Sequence, residues 1–325
     1  MAEETIEIYD AGEAGSDSDW LAIMDEIGEE AGYFERLGSQ HSAFFSDQGP
    51  VLLVSFETLR GVRDAGGGQM PLGYQIAAPR GWSSLTIIAD EGSWYRDKAV
   101  YGFFDRLFDD AFFADFDRVF FYGAGMGGYG AAAFSVVAPG ATVLALAPQA
   151  SLDTDVAEWD RRFLTARRRD FTSRYGFAPD MIDGAGKVFL LYDPLNQIDA
   201  VHVAMFRGSH VTKLRARHIG RDPQAELARM KVLRPLIDAA CTGTLSAHRF
   251  ARLWRARQTH PQYLGRLVGR VQQANRPKRL VRALRAALAK LDHPQLRAAL
   301  TRAEEALSRE KLDTARARNN DRQQG

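Results

Sequence analysis

Asp117-Arg-Val-Phe-Phe-Tyr122-Gly123-Ala-Gly125-Met-Gly127-Gly128-Tyr-Gly130 is the most informative stretch of this 325-residue chain. Val119 to Tyr122 is an apolar, aromatic and β-branched run of buried-strand length. The glycines after it form a turn at which backbone can come close to other groups. The small residues from Ala131 onward suit a helix pressed onto a sheet, and Pro139-Gly140 stops it. Val143 to Ala147 reads as a second buried strand. Strand, turn, helix and strand in succession make one unit of an α/β fold.

Neighbouring segments extend that unit. Strands are predicted at 51–57, 84–89, 118–122, 142–147, 187–192 and 211–217, alternating with helical patterns, so they belong in one mainly parallel sheet flanked by helices. Trp20, Met24 and Ile27 share one face of an early helix that Asp19 could cap. Aromatic residues at helical spacing mark another helix over 99–113, with the rings as core. Asp222-Pro223 opens a helix that should run towards Ala239. From Thr242 onward every pattern is helical, and Leu280, Leu284, Leu288 and Leu291 form one stripe. The expected organisation is an acidic N-terminal lead-in and helix over 1–48, and an α/β core over 49–242 with a lid-like insertion at 151–186. An all-helical basic extension follows over 243–325.

Composition excludes several classes. Hydrophobic residues make up 46% of the chain, enough for a large core. The single cysteine, Cys241, rules out an internal disulfide framework and a cysteine zinc site. The start, Met-Ala-Glu-Glu-Thr-Ile-Glu, has no apolar signal core, and no apolar run reaches membrane-spanning length. A cytoplasmic protein without membrane contact is expected. The net charge of +1 conceals an asymmetry: 19 of the 42 Lys/Arg but only 6 of the 41 Asp/Glu fall in 249–325. A basic tail on an acidic body implies a protein partner through 243–325, or a tail that docks on its own body. Nucleic acid is a lesser expectation, because the leucine stripes argue for packed helices and no recognition motif is present.

Two patterns overlay the glycine turn. Gly123, Gly125 and Gly128 match the dinucleotide fingerprint Gly-x-Gly-x-x-Gly, but strands precede it and the following strand ends in Gln149, without the acid that would hold a ribose. The other pattern is the nucleophile elbow Gly-x-Ser-x-Gly. Gly123, Gly125 and Gly127 match it at every position except the nucleophile, where Gly125 stands. An acid, Asp193, ends the next-but-one strand, and a last strand leads to His218-Ile-Gly-Arg221. This order resembles the α/β-hydrolase superfamily over roughly residues 49–240. The resemblance implies triad positions at Gly125, Asp193 and Arg221. Glycine has no nucleophilic oxygen, and arginine stays protonated and is no general base. His218 is the only nearby substitute.

Five stretches also resemble an alphaproteobacterial group that often carries the name phosphoadenosine phosphosulfate reductase. They are Tyr33-Phe-Glu-Arg-Leu-Gly38, Gly49 to Glu57, Tyr122 to Met126, Asp170-Phe-Thr-Ser-Arg-Tyr-Gly176 and Ala251-Arg-Leu-Trp-Arg-Ala-Arg257. The name implies a Ser-Gly-Gly-x-x-Ser phosphate loop and a cysteine in a late Glu-Cys-Gly-Leu-His motif. The chain has neither, and Cys241 reads as a packing residue.

The reading reached from the residues is a catalytically degenerate binding or regulatory module. The turn residues Gly123, Gly125, Met126 and Gly127, with backbone donors at Met126 and Gly127 and with Arg167, Arg168 and Arg169 overhanging them, would hold an anionic small molecule. The alternatives are a divergent enzyme, either a hydrolase or transferase or the reductase that the name of the look-alike group implies, and an adaptor that binds nucleic acid or an acidic partner through the basic tail. No cofactor is expected. With no His-x-x-x-His or His-Glu-x-x-His pair, no metal is expected either.

Overall fold

The computed structural model describes residues 8–64, 66, 68–274 and 276–323. The acidic start, Met1 to Glu7, lies outside them. Among the described residues eight strands form one sheet: β1 (Gly32–Leu37), β2 (His41–Ser46), β3 (Val51–Thr58), β4 (Ser83–Ala89), β5 (Arg118–Ala124), β6 (Thr142–Leu146), β7 (Lys187–Tyr192) and β8 (Val211–Arg215). Their order is β1-β2-β4-β3-β5-β6-β7-β8. β2 runs antiparallel to β1 and β4, and every pair from β4 to β8 is parallel. All six predicted strands are there, with β5 between β3 and β6 in the middle of the sheet.

The central strands alternate between two buried faces, as the period of two demands. Val54, Phe56, Phe121, Val143 and Val188 face one core, which the helices Lys98–Asp109 and Met126–Ala133 cover. Leu53, Phe120, Tyr122, Leu144 and Leu191 face the other. Ile76, Leu236 and Ile237 close that second face, and so do Trp254, Tyr263, Leu264, Val281 and Leu284 from the C-terminal helices. The segment after 243 is therefore partly core. Its helices are Ala247–Leu253, Pro261–Gln273, Pro277–Leu288 and Pro294–Gln323. Arg266 of this segment donates from Nε to the His218 carbonyl oxygen at 3.0 Å and pairs with the buried Glu226. To that extent the basic tail docks on the body.

Three expectations need correction. The hairpin β1–β2 belongs to the sheet, although 1–48 read as a lead-in and one helix. β2, His-Ser-Ala-Phe-Phe-Ser, is buried throughout but mixes small polar with aromatic residues, so it lacks an alternating pattern. The first helix, Asp17–Ala31, is capped by Ser16, whose Oγ accepts from the Asp19 N–H; Asp19 is not the cap. The helix opened by Asp222 and Pro223 ends at Arg229, and a second runs Leu233–Cys241. Lys231 breaks them apart with φ +56°.

If the C-terminal helices share the core, Trp254→Ala should destabilise the whole chain. The side chain is 6% exposed and packs edge-on to Tyr263 at 5.7 Å. The expected loss is about 3–5 kcal/mol in urea unfolding, in a single transition. A separate early transition with an unchanged main one would show an independent appendage instead.

Candidate functional site

β5 ends at Ala124, and the helix Met126–Ala133 starts two residues later. Gly125 makes the reversal alone, with φ 55° and ψ −116°. Its N–H donates to the Leu146 carbonyl oxygen on the neighbouring strand at 2.8 Å, and its own carbonyl oxygen accepts from the Tyr129 N–H at 3.0 Å. The flanking glycines allow the close approach. A Cβ on Gly123 would lie 2.0 Å from the Gly127 carbonyl oxygen, and one on Gly127 would lie 2.2 Å from that of Phe56. A Cβ on Gly125 would meet nothing within 4 Å. The apex of the turn thus points into open space.

That space is a cavity of about 1380 Å³ over the C-terminal ends of β3, β5 and β6, the edge where open α/β sheets take their ligands. Its lining contains no serine, histidine or cysteine. The two hydroxyls are engaged: Tyr95 donates to the Glu57 carbonyl oxygen at 2.9 Å, and Thr58 Oγ1 accepts from the Gly61 N–H at 3.0 Å. Arg221 lines the cavity. Asp193 and His218 do not. Asp193 Oδ2 accepts from the His218 backbone N–H and Oδ1 from the Leu195 N–H, each at 2.9 Å. The acid therefore meets the histidine's main chain, and the imidazole gains no orienting carboxylate. Burial lowers the pKa of His218, with Asp193 opposing the shift, and its Nδ1 has no partner among the described residues.

The arginine expectation shifts by a few residues. Arg167 and Arg168 line a separate surface depression with Arg161, and Arg169 donates to Gln40 Oε1. The arginine in the Gly125 cavity is Arg162. It chelates the fully buried Asp160 through Nε and Nη2, and Nη1 reaches Asp199 Oδ1 at 2.7 Å. His202 Nε2 lies 2.9 Å from the same Asp160, and its Nδ1 accepts from the Ala150 N–H at 3.1 Å. An imidazole that accepts at Nδ1 is neutral and donates at Nε2. Both ring nitrogens are occupied, so this buried His–Asp pair fastens the insertion and has no base to offer. Arg96, a buried arginine, donates to the carbonyl oxygens of Asp170 and Arg174 and to Ser173 Oγ.

Two cavity features escaped the sequence reading. Glu57 lies at the end of β3, where its carboxylate accepts from the Leu72 and Gly73 N–H groups and from Ser55 Oγ. Burial raises its pKa, and those bonds counter part of the rise. Its position at a strand end on the ligand edge was the available signal. The other feature is a support behind the wall. His41 Nε2 lies 2.6 Å from Ser93 Oγ, and that oxygen accepts from the Tyr95 N–H. This holds Trp94 and Tyr95 in consecutive left-handed conformations, with φ +52° and +55°. No sequence motif marks it.

No family model matches the sequence, and no curated protein matches it. Among solved structures, carboxyl esterase 2 of Tuber melanosporum is 13% identical with a TM-score of 0.39, covering 66% of this chain and 82% of its own. A capsule O-acetyltransferase of Neisseria meningitidis serogroup A is 10% identical with a TM-score of 0.41, over 65% and 94%. The fluorophosphonate-binding serine hydrolase F of Staphylococcus aureus is 11% identical with a TM-score of 0.40, over 65% and 94%. The fold class is α/β-hydrolase-like, a mainly parallel sheet flanked by helices. Strand order and the antiparallel second strand carry that statement. The reductase name of the look-alike group finds no support. Cys241 sits in a smaller cavity of about 580 Å³ with Arg118 and Thr142, at the strand ends opposite Gly125, and burial pushes its thiol pKa up. Among the described residues no acid, histidine or cysteine cluster could hold a metal, and no helix is long and apolar enough to cross a membrane.

Two outcomes are expected from the turn and its support. Gly125→Ser places a Cβ in free space but in a conformation costly for any side chain, so it should lower stability by about 1–3 kcal/mol. Gly127→Ala, which collides with the Phe56 carbonyl, should lower it further in the same denaturation series. Burial lowers the His41 pKa to about 4, with Asp97 and Asp90 opposing. Between about 6.5 and 4 the unfolded chain binds this proton and the folded one does not, so stability falls as pH drops through that window. Unfolding free energy measured from pH 7 to 4 should fall less steeply for His41→Gln than for the wild type, by roughly 3 kcal/mol over the window. Equal slopes would remove His41 as the cause.

Proposed function

We propose that this protein is a non-catalytic member of its fold class: a binding module that holds an anionic small molecule over a nucleophile elbow whose nucleophile is missing. The observation that carries the reading is the composition of the cavity. Its apex is Gly125, and no serine, histidine or cysteine lines it. Serine hydrolysis needs an oxygen nucleophile, a base to take its proton and an acid to orient that base. Here the first is absent, Arg221 stands where the base would be, and Asp193 is engaged by two backbone N–H groups. Loss of the nucleophile alone costs on the order of a million-fold in rate.

What remains suits binding. The first-turn N–H groups of Met126 and Gly127 have no intrahelical acceptor, so they can donate to a ligand oxygen. Arg221 adds a permanent positive charge at the cavity. The result is an oxygen-binding cradle without the groups that would attack what it holds.

The purified protein should show no turnover of an activated ester and no labelling by a fluorophosphonate probe. Gly125→Ser combined with Arg221→His should also stay inactive, because Asp193 faces the His218 backbone. Stoichiometric labelling of the wild type, or ester turnover by the double variant well above buffer, would overturn the reading.

A further inference from the structure

We propose that the ligand is an amphipathic anion, with a carboxylate or phosphate head held by Arg221 and Lys231 at the cavity mouth and an apolar body lodged across Gly125. The proposal rests on the reading of this cavity as an anion-binding site and names the chemistry of what enters it.

The first observation is charge accounting. The cavity's acids are engaged: Glu57 by two backbone N–H groups and Ser55, Asp199 by Arg162 and Asn196, and Asp222 by the Ala225 N–H that it caps. Three of its cations are engaged as well. Arg162 holds Asp160 and Asp199, Arg229 pairs with Glu226, and Arg234 donates to the Gln75 carbonyl oxygen. Arg221 and Lys231 are left. Both are exposed on the cavity lining, and neither side chain has an ion pair or hydrogen bond to the described residues. They are the lining cations whose side chains are free to meet an anionic head.

The second observation is the size and chemistry of the interior. A cavity of about 1380 Å³ is far larger than a bare phosphate or acetate requires. Its walls include Phe56, Leu72, Met126, Phe163 and Leu233. Gly125 leaves the space above the turn clear, so a chain can lie across it.

The third is where the backbone is strained. Lys231 stands at φ +56° in the break between two helices, a conformation that glycine adopts without cost. Tyr95 and Ala147, also on the cavity wall, have φ +55° and +47°. Left-handed non-glycine residues gathered on one cavity mark a functional surface.

The test is calorimetric titration of the full-length protein at low salt with acetate, inorganic phosphate, hexanoate, decanoate, decyl phosphate and decanol. Decanoate and decyl phosphate should bind, with decanoate at least tenfold tighter than hexanoate and at least tenfold tighter than decanol. The variant Arg221→Ala with Lys231→Ala should weaken both decyl anions by about 10- to 100-fold and leave decanol unchanged. These substitutions are at exposed positions, and circular dichroism on the same sample verifies folding. Acetate or phosphate binding as tightly as decanoate overturns the amphipathic assignment while the anion reading stands. No binding of any anion at millimolar concentration overturns both. Decanol equal to decanoate, with no effect of the double variant, overturns the assignment of Arg221 and Lys231 to the head.

Discussion

A Cβ on Gly127 would lie 2.2 Å from the Phe56 carbonyl oxygen, so the helix Met126–Ala133 touches β3 backbone to backbone. The cavity depends on that contact. It seats the helix start against the C-terminal ends of β3 and β5, brings the first-turn N–H groups to the sheet edge, and leaves Gly125 to turn the chain with its missing side chain outward. Gly130 continues the fit, because a Cβ there would lie 2.6 Å from Phe56 Cδ1. Bulk along this face would lift the helix and close the cleft above it.

The same physics explains what could be read from the residues. The parallel strands are buried on both faces, so they stand out as continuous apolar runs, and their order along the chain already implied one sheet. The hairpin β1–β2 was hidden, because an edge pair with polar and aromatic residues mixed gives neither an apolar run nor an alternation. The turn was legible because steric necessity fixes glycine at set spacings. The cavity wall was not, since Glu57, Arg162 and Lys231 come from β3, the insertion and a helix break far apart in sequence. Of the arginine-rich segment that the expectation named, Arg162 lines the cavity, and Arg167 to Arg169 do not. Only the short, irregular path of the insertion determines which member of an arginine-rich run turns inward.

The charge asymmetry of the chain also has a physical resolution. Arg266 reaches the buried Glu226 and the His218 carbonyl, while Trp254, Tyr263 and Leu284 complete the second core. Part of the basic tail thus compensates the acidic body, and the fold takes in as core what composition alone would set apart. The loop carrying His218 is held from two sides, by Asp193 and by Arg266. That explains why its imidazole is turned away from the cavity.

The anchoring of the insertion bears on how quickly a ligand could come and go. Arg162, Asp160, Asp199 and His202 tie one end of it to the helix Gln197–Met205, and Arg96 clasps the other through Asp170, Ser173 and Arg174. Asp160 is fully buried, so parting it from Arg162 and His202 would strand a carboxylate in a poor solvent. A segment secured in this way behaves as masonry. A ligand of the kind proposed would then enter without a gate: encounter would be set by diffusion and by the pull of Arg221 and Lys231, which added salt would dampen, and residence time by contacts inside.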